Sequence, residues 1–269
     1  MGTRVVALAA LAALLAACGE GTPKSGTPTT TPPTTSTPTA SAPPATTTPT
    51  TTPTTTPTTT PTTTPTTTPT TDPEPRRGID ASHHQGAIDW PRVADAGISF
   101  AYLKATEGAT FTDPRFAEHR RAATRAGIDV TGYHYFQLCS DGAAQAQHFL
   151  TVLGQQRGDL PPALDLELAG SCDDPPPAAT LLAEVREFLA VVDRRSGVPT
   201  LVYLYPDFEE RFGFADELAD HPQWVRRLGE REPRRTWTVW QYDDAGTVPG
   251  VAGRVDLNLA KESLTTKGR

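Results

Sequence analysis

The sequence predicts an α/β fold in which eight strands close into a barrel, with helices between the earlier strands only. Three observations carry this. Strand-like apolar runs alternate with helix-like segments from Gly78 to Tyr205, the pattern of a parallel sheet. Three more strand-like runs follow with little room for helices between them. Eight strands suffice to close a sheet on itself. Residues 76–269 hold all of these signals, fewer than the ~250 residues of a full β/α barrel, so a truncated one is expected.

The elements follow from their punctuation. Gly78-Ile79-Asp80 ends a first short strand. Asp89, with Pro91 in the next turn, opens a short helix that Gly97 closes, since Asp caps, Pro fits the first turn and Gly permits the stop. Ile98 to Lys104 is the second strand. Asp113-Pro114 reads as a cap and a first helical position, for a helix that runs to Ala126 and stops at Gly127. Ile128 to Phe136 is the third strand, and Asp141 opens a helix to about Leu153. Pro162 to Glu167 is the fourth strand, followed by a helix from about Ala178 to Arg195 that stops at Gly197. Thr200 to Tyr205 is the fifth strand. Gln223 to Leu228, Thr236 to Tyr242 and Arg254 to Leu259 are the last three.

The chain before the barrel has another character. Arg4 precedes an apolar run from Val5 to Ala17, a signal-peptide core too short to span a bilayer. The run ends Leu15-Ala16-Ala17-Cys18-Gly19. This resembles the lipobox of bacterial lipoproteins, in which the Cys is acylated and becomes the new N-terminus. A plain secretory signal with an incidental Cys is the alternative. Two acyl chains on Cys18 would anchor the chain stably. Residues 1–17 are therefore expected to be a signal peptide, and 18–75 the lipidated Cys and a disordered tether.

The tether is legible from composition. Fifteen of the 27 prolines fall between Pro23 and Pro75, and Pro recurs every fourth residue from Pro49 to Pro69 in Thr-Thr-Thr-Pro repeats. With no aromatic residue and almost no apolar bulk, the segment cannot offset the entropy of folding. Pro and β-branched Thr favour an extended chain that reaches at most ~3.1 Å per residue, or roughly 180 Å in all. Ser/Thr-rich segments with Pro also occur as glycosylated stalks. The expected location is outside the cytoplasm, anchored to a membrane and facing the periplasm or cell wall.

Charge narrows the partners. The chain carries a formal −7, and residues 76–269 hold 22 basic and 28 acidic side chains. An acidic domain is a poor polyanion binder, so nucleic acid is excluded as an expected partner. Cys139 and Cys172 remain once Cys18 is assigned to lipid. Each lies a few residues after a strand, and one disulfide joining two loops at the same end of the fold is expected, with two free buried thiols as the alternative. Neither has a CxxC partner, so no metal site is expected there.

Chemistry in such barrels sits at the C-terminal ends of the strands. Those ends carry Asp80, the run Lys104 to Gly108 with Glu107, Tyr133 to Phe136 with Tyr135, Asp165-Leu166-Glu167, Tyr203 to Tyr205, Trp240-Gln241-Tyr242, and Asp256-Leu257-Asn258. Asp165 and Glu167 are the sharpest signal. Residues two apart on a strand face the same way, which here means into the barrel. Two carboxylates held this close repel, so one keeps its proton to higher pH. A protonated acid beside an ionised one is what glycosidic cleavage requires. A pair of exposed surface acids would look similar, but this pair follows the apolar run Leu160 to Leu164 into a core strand. The rim aromatics suit a saccharide groove, because sugar rings present C–H faces that stack on them; core packing is their other use. No G-x-S-x-G elbow or glycine-rich phosphate loop is present. His83-His84 reads as a loop that orders the rim rather than as a metal site.

Several pieces resemble the Chalaropsis-type lysozymes, glycoside hydrolase family 25. They are Gly78 to Gly86, Ile88-Asp89-Trp90, Lys104 to Gly108, Gly132 to Phe136, Ala143 to Phe149, Leu160 to Glu167, Trp240-Gln241-Tyr242 and Val255 to Asn258. The resemblance spans essentially the whole domain and implies an irregular (β/α)5β3 barrel. It implies an N-acetylmuramidase that cuts the β-1,4 bond after N-acetylmuramic acid in peptidoglycan, without metal or cofactor. Glu167 matches the general acid. Asp165 matches the partner that stabilises the developing positive centre, by orienting the substrate's own N-acetyl group. Asp80, Glu107 and Asp256 match supporting acids in the groove, and Asp80 is counted with Glu167 and Asp165 among the catalytic residues. Tyr133, Tyr135, Tyr203, Trp240 and Gln241 are expected along the substrate groove. Gln137 to Asp141 departs from the commoner loop, and Thr200 to Phe214 and the stretch around Trp224 match loosely, which leaves subsite lining and peptide-stem preference open. The expected partners are glycan strands and, through the lipid, a membrane, with the chain acting as a monomer. A silent wall-binding lipoprotein, or a hydrolase of another N-acetylhexosamine polymer, is the alternative.

Overall fold

The structure is a computed structural model that describes residues 74–155 and 160–264. The signal peptide, Cys18 and almost all of the tether lie outside the described residues. In chain order the elements are β1 (Arg76–Ala81), α1 (Trp90–Asp95), β2 (Phe100–Glu107), β3 (Phe111–Thr112) and α2 (Phe116–Arg125). Then come β4 (Asp129–Tyr135), α3 (Gly142–Leu153), β5 (Ala163–Leu166), α4 (Ala178–Ser196) and β6 (Leu201–Leu204). The last are α5 (Pro206–Phe212), α6 (Phe214–Glu217), β7 (Gln223–Arg226), β8 (Val239–Gly246) and β9 (Val255–Ala260).

Eight strands close the barrel. β1, β2, β4, β5, β6, β7 and β8 run parallel in that order, and β9 fits antiparallel between β8 and β1. Closure leaves none of the eight barrel strands as an open edge. The ninth strand, β3, is a two-residue arm that folds back on the end of β2.

Strand alternation sorts the side chains into two cores. Outward residues such as Ile79, Leu103, Leu164 and Val202 meet Val93, Phe149, Phe188 and Val192 of the helices. Inward residues Phe100, Tyr102, Ala163, Leu201, Trp224, Val239 and Ala260 fill the lower barrel. Gly78 faces this interior, where an added Cβ would lie 2.3 Å from the Phe100 ring, so no larger residue fits without displacing that ring. The barrel floor is therefore solid, and only its C-terminal end is open to carry a site.

The caps at Asp89 and Asp141 form as the sequence suggests: Asp89 accepts from Arg92 N and Asp141 from Ala144 N. Two elements differ. α2 begins at Phe116 rather than Pro114, because the Asp113 carboxylate instead accepts from Arg115 N at 2.9 Å and from His83 N at 2.9 Å. The connection after β6 holds α5 and α6 where no helix was expected. Pro206 starts α5, Gly213 breaks the run at φ 67°, and Phe208 and Phe214 bury against one another.

Candidate active site

The open end of the barrel is a cavity of about 350 Å³. Its walls continue the inward rows of the floor, with polar residues replacing apolar ones toward the C-terminal ends. On β1 the row runs Gly78 to Asp80, on β2 Phe100, Tyr102, Lys104, on β5 Ala163 to Asp165, and on β8 Val239 to Gln241. Each floor residue thus fixes the facing of the site residue two positions on.

Asp80, Asp165, Glu167, Asp256, Tyr133, Tyr135, Tyr203 and Gln241 all line this cavity. Asp165 is the third residue of β5, and Glu167 stands just past its end. Burial, followed by repulsion from Glu167 and Asp80, holds Asp165 well above the usual carboxylate range, against the opposing charge of Lys104. Burial pushes Glu167 up to about 7; contact with Asp165 opposes this, and the charges of Asp80 and Asp207 add to it. The two side chains therefore hold a proton into the neutral range. Asp165 Oδ1 is buried with no hydrogen-bond partner among the described residues, a free acceptor at the wall of the cavity.

Asp80 is the most fully bonded of the acids. Its Oδ2 accepts from Asn258 Nδ2 at 2.7 Å and, at a long 3.4 Å, from Gln241 Nε2. Gln241 Oε1 in turn accepts from Tyr203 OH at 2.9 Å, and Asn258 Oδ1 from Trp224 Nε1 at 2.8 Å. This web fixes the carboxylate in one orientation. Burial raises the Asp80 pKa and these donors oppose the rise. Burial and then the Asp80 charge push Asp256 up to about 9. Burial, reinforced by Asp165, keeps the Tyr133 and Tyr203 phenols protonated, so both remain donors.

Glu107 and Trp240 fall outside the lining. A bulge lies between Lys104 and Thr106, which leaves Lys104 facing inward while Thr106 turns outward to His134 Nδ1 at 2.8 Å. Glu107 Oε2 accepts from Lys104 Nζ at 2.6 Å and its Oε1 from Gln137 Nε2 at 2.8 Å. It reaches the cavity only through Lys104. Trp240 corrects the expectation of a groove aromatic. It packs outside the barrel with Val225 and Trp237, and its Nε1 donates to Arg227 O at 2.7 Å. Neighbours on a strand face opposite ways, and Gln241 occupies the inward position.

The cavity also includes residues not expected in the substrate groove. His84, Gln85, Lys104, Tyr205, Trp224, Arg226 and Asp244 line the cavity. Arg226 pairs with Asp244 and lies 4.9 Å from the Tyr205 ring centroid. Strand parity would have found Trp224 and Arg226, had the register of β7 been known. Cys139 and Cys172 are bonded, with Cα atoms 6.1 Å apart. The bridge ties the loop after β4 to the loop after Glu167, helped by Leu138 N donating to Ser171 Oγ at 2.7 Å. Among the described residues no cluster of three His, Cys, Asp or Glu side chains is placed to hold a metal ion.

A paired carboxylate site in the mouth of a β/α barrel is the arrangement a glycoside hydrolase uses, and the relatives of the chain place it among the lysozymes, or muramidases. Residues 79–251 match the glycosyl hydrolases family 25, and the chain belongs to that family. It is 35% identical over 190 residues to the uncharacterized protein YegX of Escherichia coli, covering 68% of each chain. It is 35% identical over 195 residues to lysozyme M1 of Streptomyces globisporus, covering 68% of this chain and 66% of that one. The crystal structure of the bacterial lysozyme from Streptomyces coelicolor matches with a TM-score of 0.65 at 32% identity, over 74% of this chain and all of that one.

Proposed function

We propose that this enzyme hydrolyses the β-1,4 bond after N-acetylmuramic acid in peptidoglycan, with Glu167 as general acid and Asp165 as its partner. The observation that supports this reading is the pair itself: two carboxyl groups two residues apart, in one open cavity, with burial holding a proton on them at neutral pH. Glu167 delivers its proton to the glycosidic oxygen as the C1–O bond breaks. The substrate's 2-acetamido oxygen closes on C1 and forms the new bond. The unpartnered Asp165 Oδ1 accepts from the acetamido N–H and stabilises the positive charge that develops on it. Water then opens the ring at C1 and gives its proton back to Glu167. Asp80, held by Asn258 and Gln241, supports Asp165 from the next wall.

The leader extends the proposal to location. The lipobox-like Leu15-Ala16-Ala17-Cys18 and the Thr/Pro tether suit a lipid-anchored enzyme that works on the wall around it as a monomer. Digestion of purified peptidoglycan, with mass analysis of the reducing ends, tests the chemistry. New muramic acid reducing ends are expected. Glucosamine ends would move the cleavage to the other bond, and wall binding without any new ends would make the chain a silent clamp.

A further inference from the structure

We propose that Phe111, backed by His83 and His84, is a stacking shelf that seats one further N-acetylhexosamine ring at the mouth of the cavity. The inference rests on the glycan reading above and extends it beyond the residues that line the cavity.

Phe111 is 41% exposed and, with Leu228, is one of two exposed large hydrophobics among the described residues. A single exposed apolar side chain is ordinary. What distinguishes Phe111 is how firmly it is held and where. Its strand β3 pairs with the end of β2, Phe111 opposite Glu107 and Thr112 opposite Thr106. Its carbonyl oxygen lies 3.0 Å from His148 Nε2. Two residues on, Asp113 N donates to Ala105 O at 3.0 Å, and Asp113 Oδ2 contacts both His83 N and His83 Nδ1. The arm is therefore docked on the barrel wall and on the turn that follows β1.

The Phe111 ring lies beside one cavity residue, Lys104, and beside His83, whose ring contacts that of the cavity residue His84. Its centroid lies 5.9 Å from the His83 ring, which itself lies 4.0 Å from the ring of His84. Lys104 Nζ lies 5.8 Å from the same centroid. His84 and Lys104 both line the cavity. A series of rings thus leads from the solvent edge to the cavity wall. A polymer longer than a 350 Å³ cavity can hold must leave it across some part of the rim. An aromatic face at that rim takes the C–H face of a pyranose, and a pre-fixed ring loses little entropy in doing so. The Lys104 ammonium beside it can donate to a ring hydroxyl or acetamido oxygen.

The test is the affinity of alternating N-acetylglucosamine–N-acetylmuramic acid oligomers, from two to eight sugars, for Glu167→Gln protein with and without Phe111→Ala. Folding of each variant is checked by circular dichroism. At one step of length the Phe111 protein should gain affinity that the Phe111→Ala protein lacks, by roughly three- to tenfold for a stacking contact. Phe111→Trp should restore the gain. Identical length profiles in the two proteins would overturn the shelf, as would absence of binding at every length. Turnover of peptidoglycan by the unsubstituted protein reads the catalytic proposal separately. A protein that shows the Phe111-dependent step but never cuts keeps the shelf and loses the hydrolase, whereas cutting with flat Phe111 dependence does the reverse.

Discussion

Asp80 on β1 and Asp256 on β9 are direct cross-strand partners in an antiparallel pair, so two acids face each other at the mouth of one barrel. Like charges so placed repel, and the pair resolves this by asymmetry. Asp80 gathers donors from Asn258 and Gln241, whereas Asp256 is pushed up to about 9 and keeps its proton at neutral pH. Asp256→Asn, which mimics the neutral acid, should keep kcat/KM within about tenfold of the parent. Asp80→Asn removes the charge to which Asn258 and Gln241 donate and should cost more, about 10- to 100-fold, since hydrogen bonds to a charged group are worth ~1.5–3 kcal/mol. Steady-state rates on solubilised glycan check the ranking.

The rate should depend on pH through Glu167. A general acid must carry its proton, and burial sets that proton's pKa at about 7. The kcat/KM profile should therefore fall about tenfold per pH unit above about 7. Asp80 raises Glu167 by repulsion, so Asp80→Asn should draw this basic limb toward acid. A limb that stays in place in that variant would contradict the coupling.

Glu167→Gln should lower turnover by ~10²–10⁴ while the fold persists. It should also stabilise the protein, but only in base. The folded pKa of about 7 lies above the ordinary 4.5, so the folded state binds a proton that the unfolded chain releases between those values. The stability this proton confers is full below pH 4.5 and lost as pH rises through about 7. Urea unfolding should show no change at pH 4 and a gain of roughly 1–3 kcal/mol at pH 8.

The Cys139–Cys172 bridge closes a loop across a separation of 33 residues. Its removal in a Cys139→Ser, Cys172→Ser double variant should cost about 2–4 kcal/mol, from the restored freedom of the unfolded chain. Cys172 lies five residues beyond Glu167 and its loop is bonded to Leu138 and Gln137. Turnover should fall together with stability, measured by denaturant unfolding and by initial rate on the same preparation.

Cys18→Ala should release the protein from the membrane fraction or stop its maturation, if the lipid anchor is right. Immunoblots of fractionated cells check this, and a variant that matures and fractionates like the parent would remove the anchor from the proposal.

The order of elements was legible because each carries its own signal. Asp89 and Asp141 cap their helices with side chains only a few residues away from the backbone they serve. Asp165 and Glu167 could be paired from the sequence because the two-residue strand period is local. The acids at Asp80 and Asp256 were recognisable from their motifs. The two cysteines could be placed at one end of the fold, since each follows a strand of a parallel sheet. Composition alone set the tail apart, because a Thr/Pro repeat has nothing to bury.

Only the tertiary structure decided which neighbours face the cavity. Trp240 and Gln241 differ by one position, and the register of β8 against β7 and β9 turns the amide inward and the indole out. A bulge after Lys104 sends Thr106 to His134 and leaves Glu107 to act through an ammonium. Arg226, Trp224 and Tyr205 join the site through the pairing of β6 with β7, strands separated by two helices. The physical reason is one of range. Capping, strand period and chain composition are settled within a few residues, whereas register and closure are settled by hydrogen bonds between segments that meet only when the barrel forms.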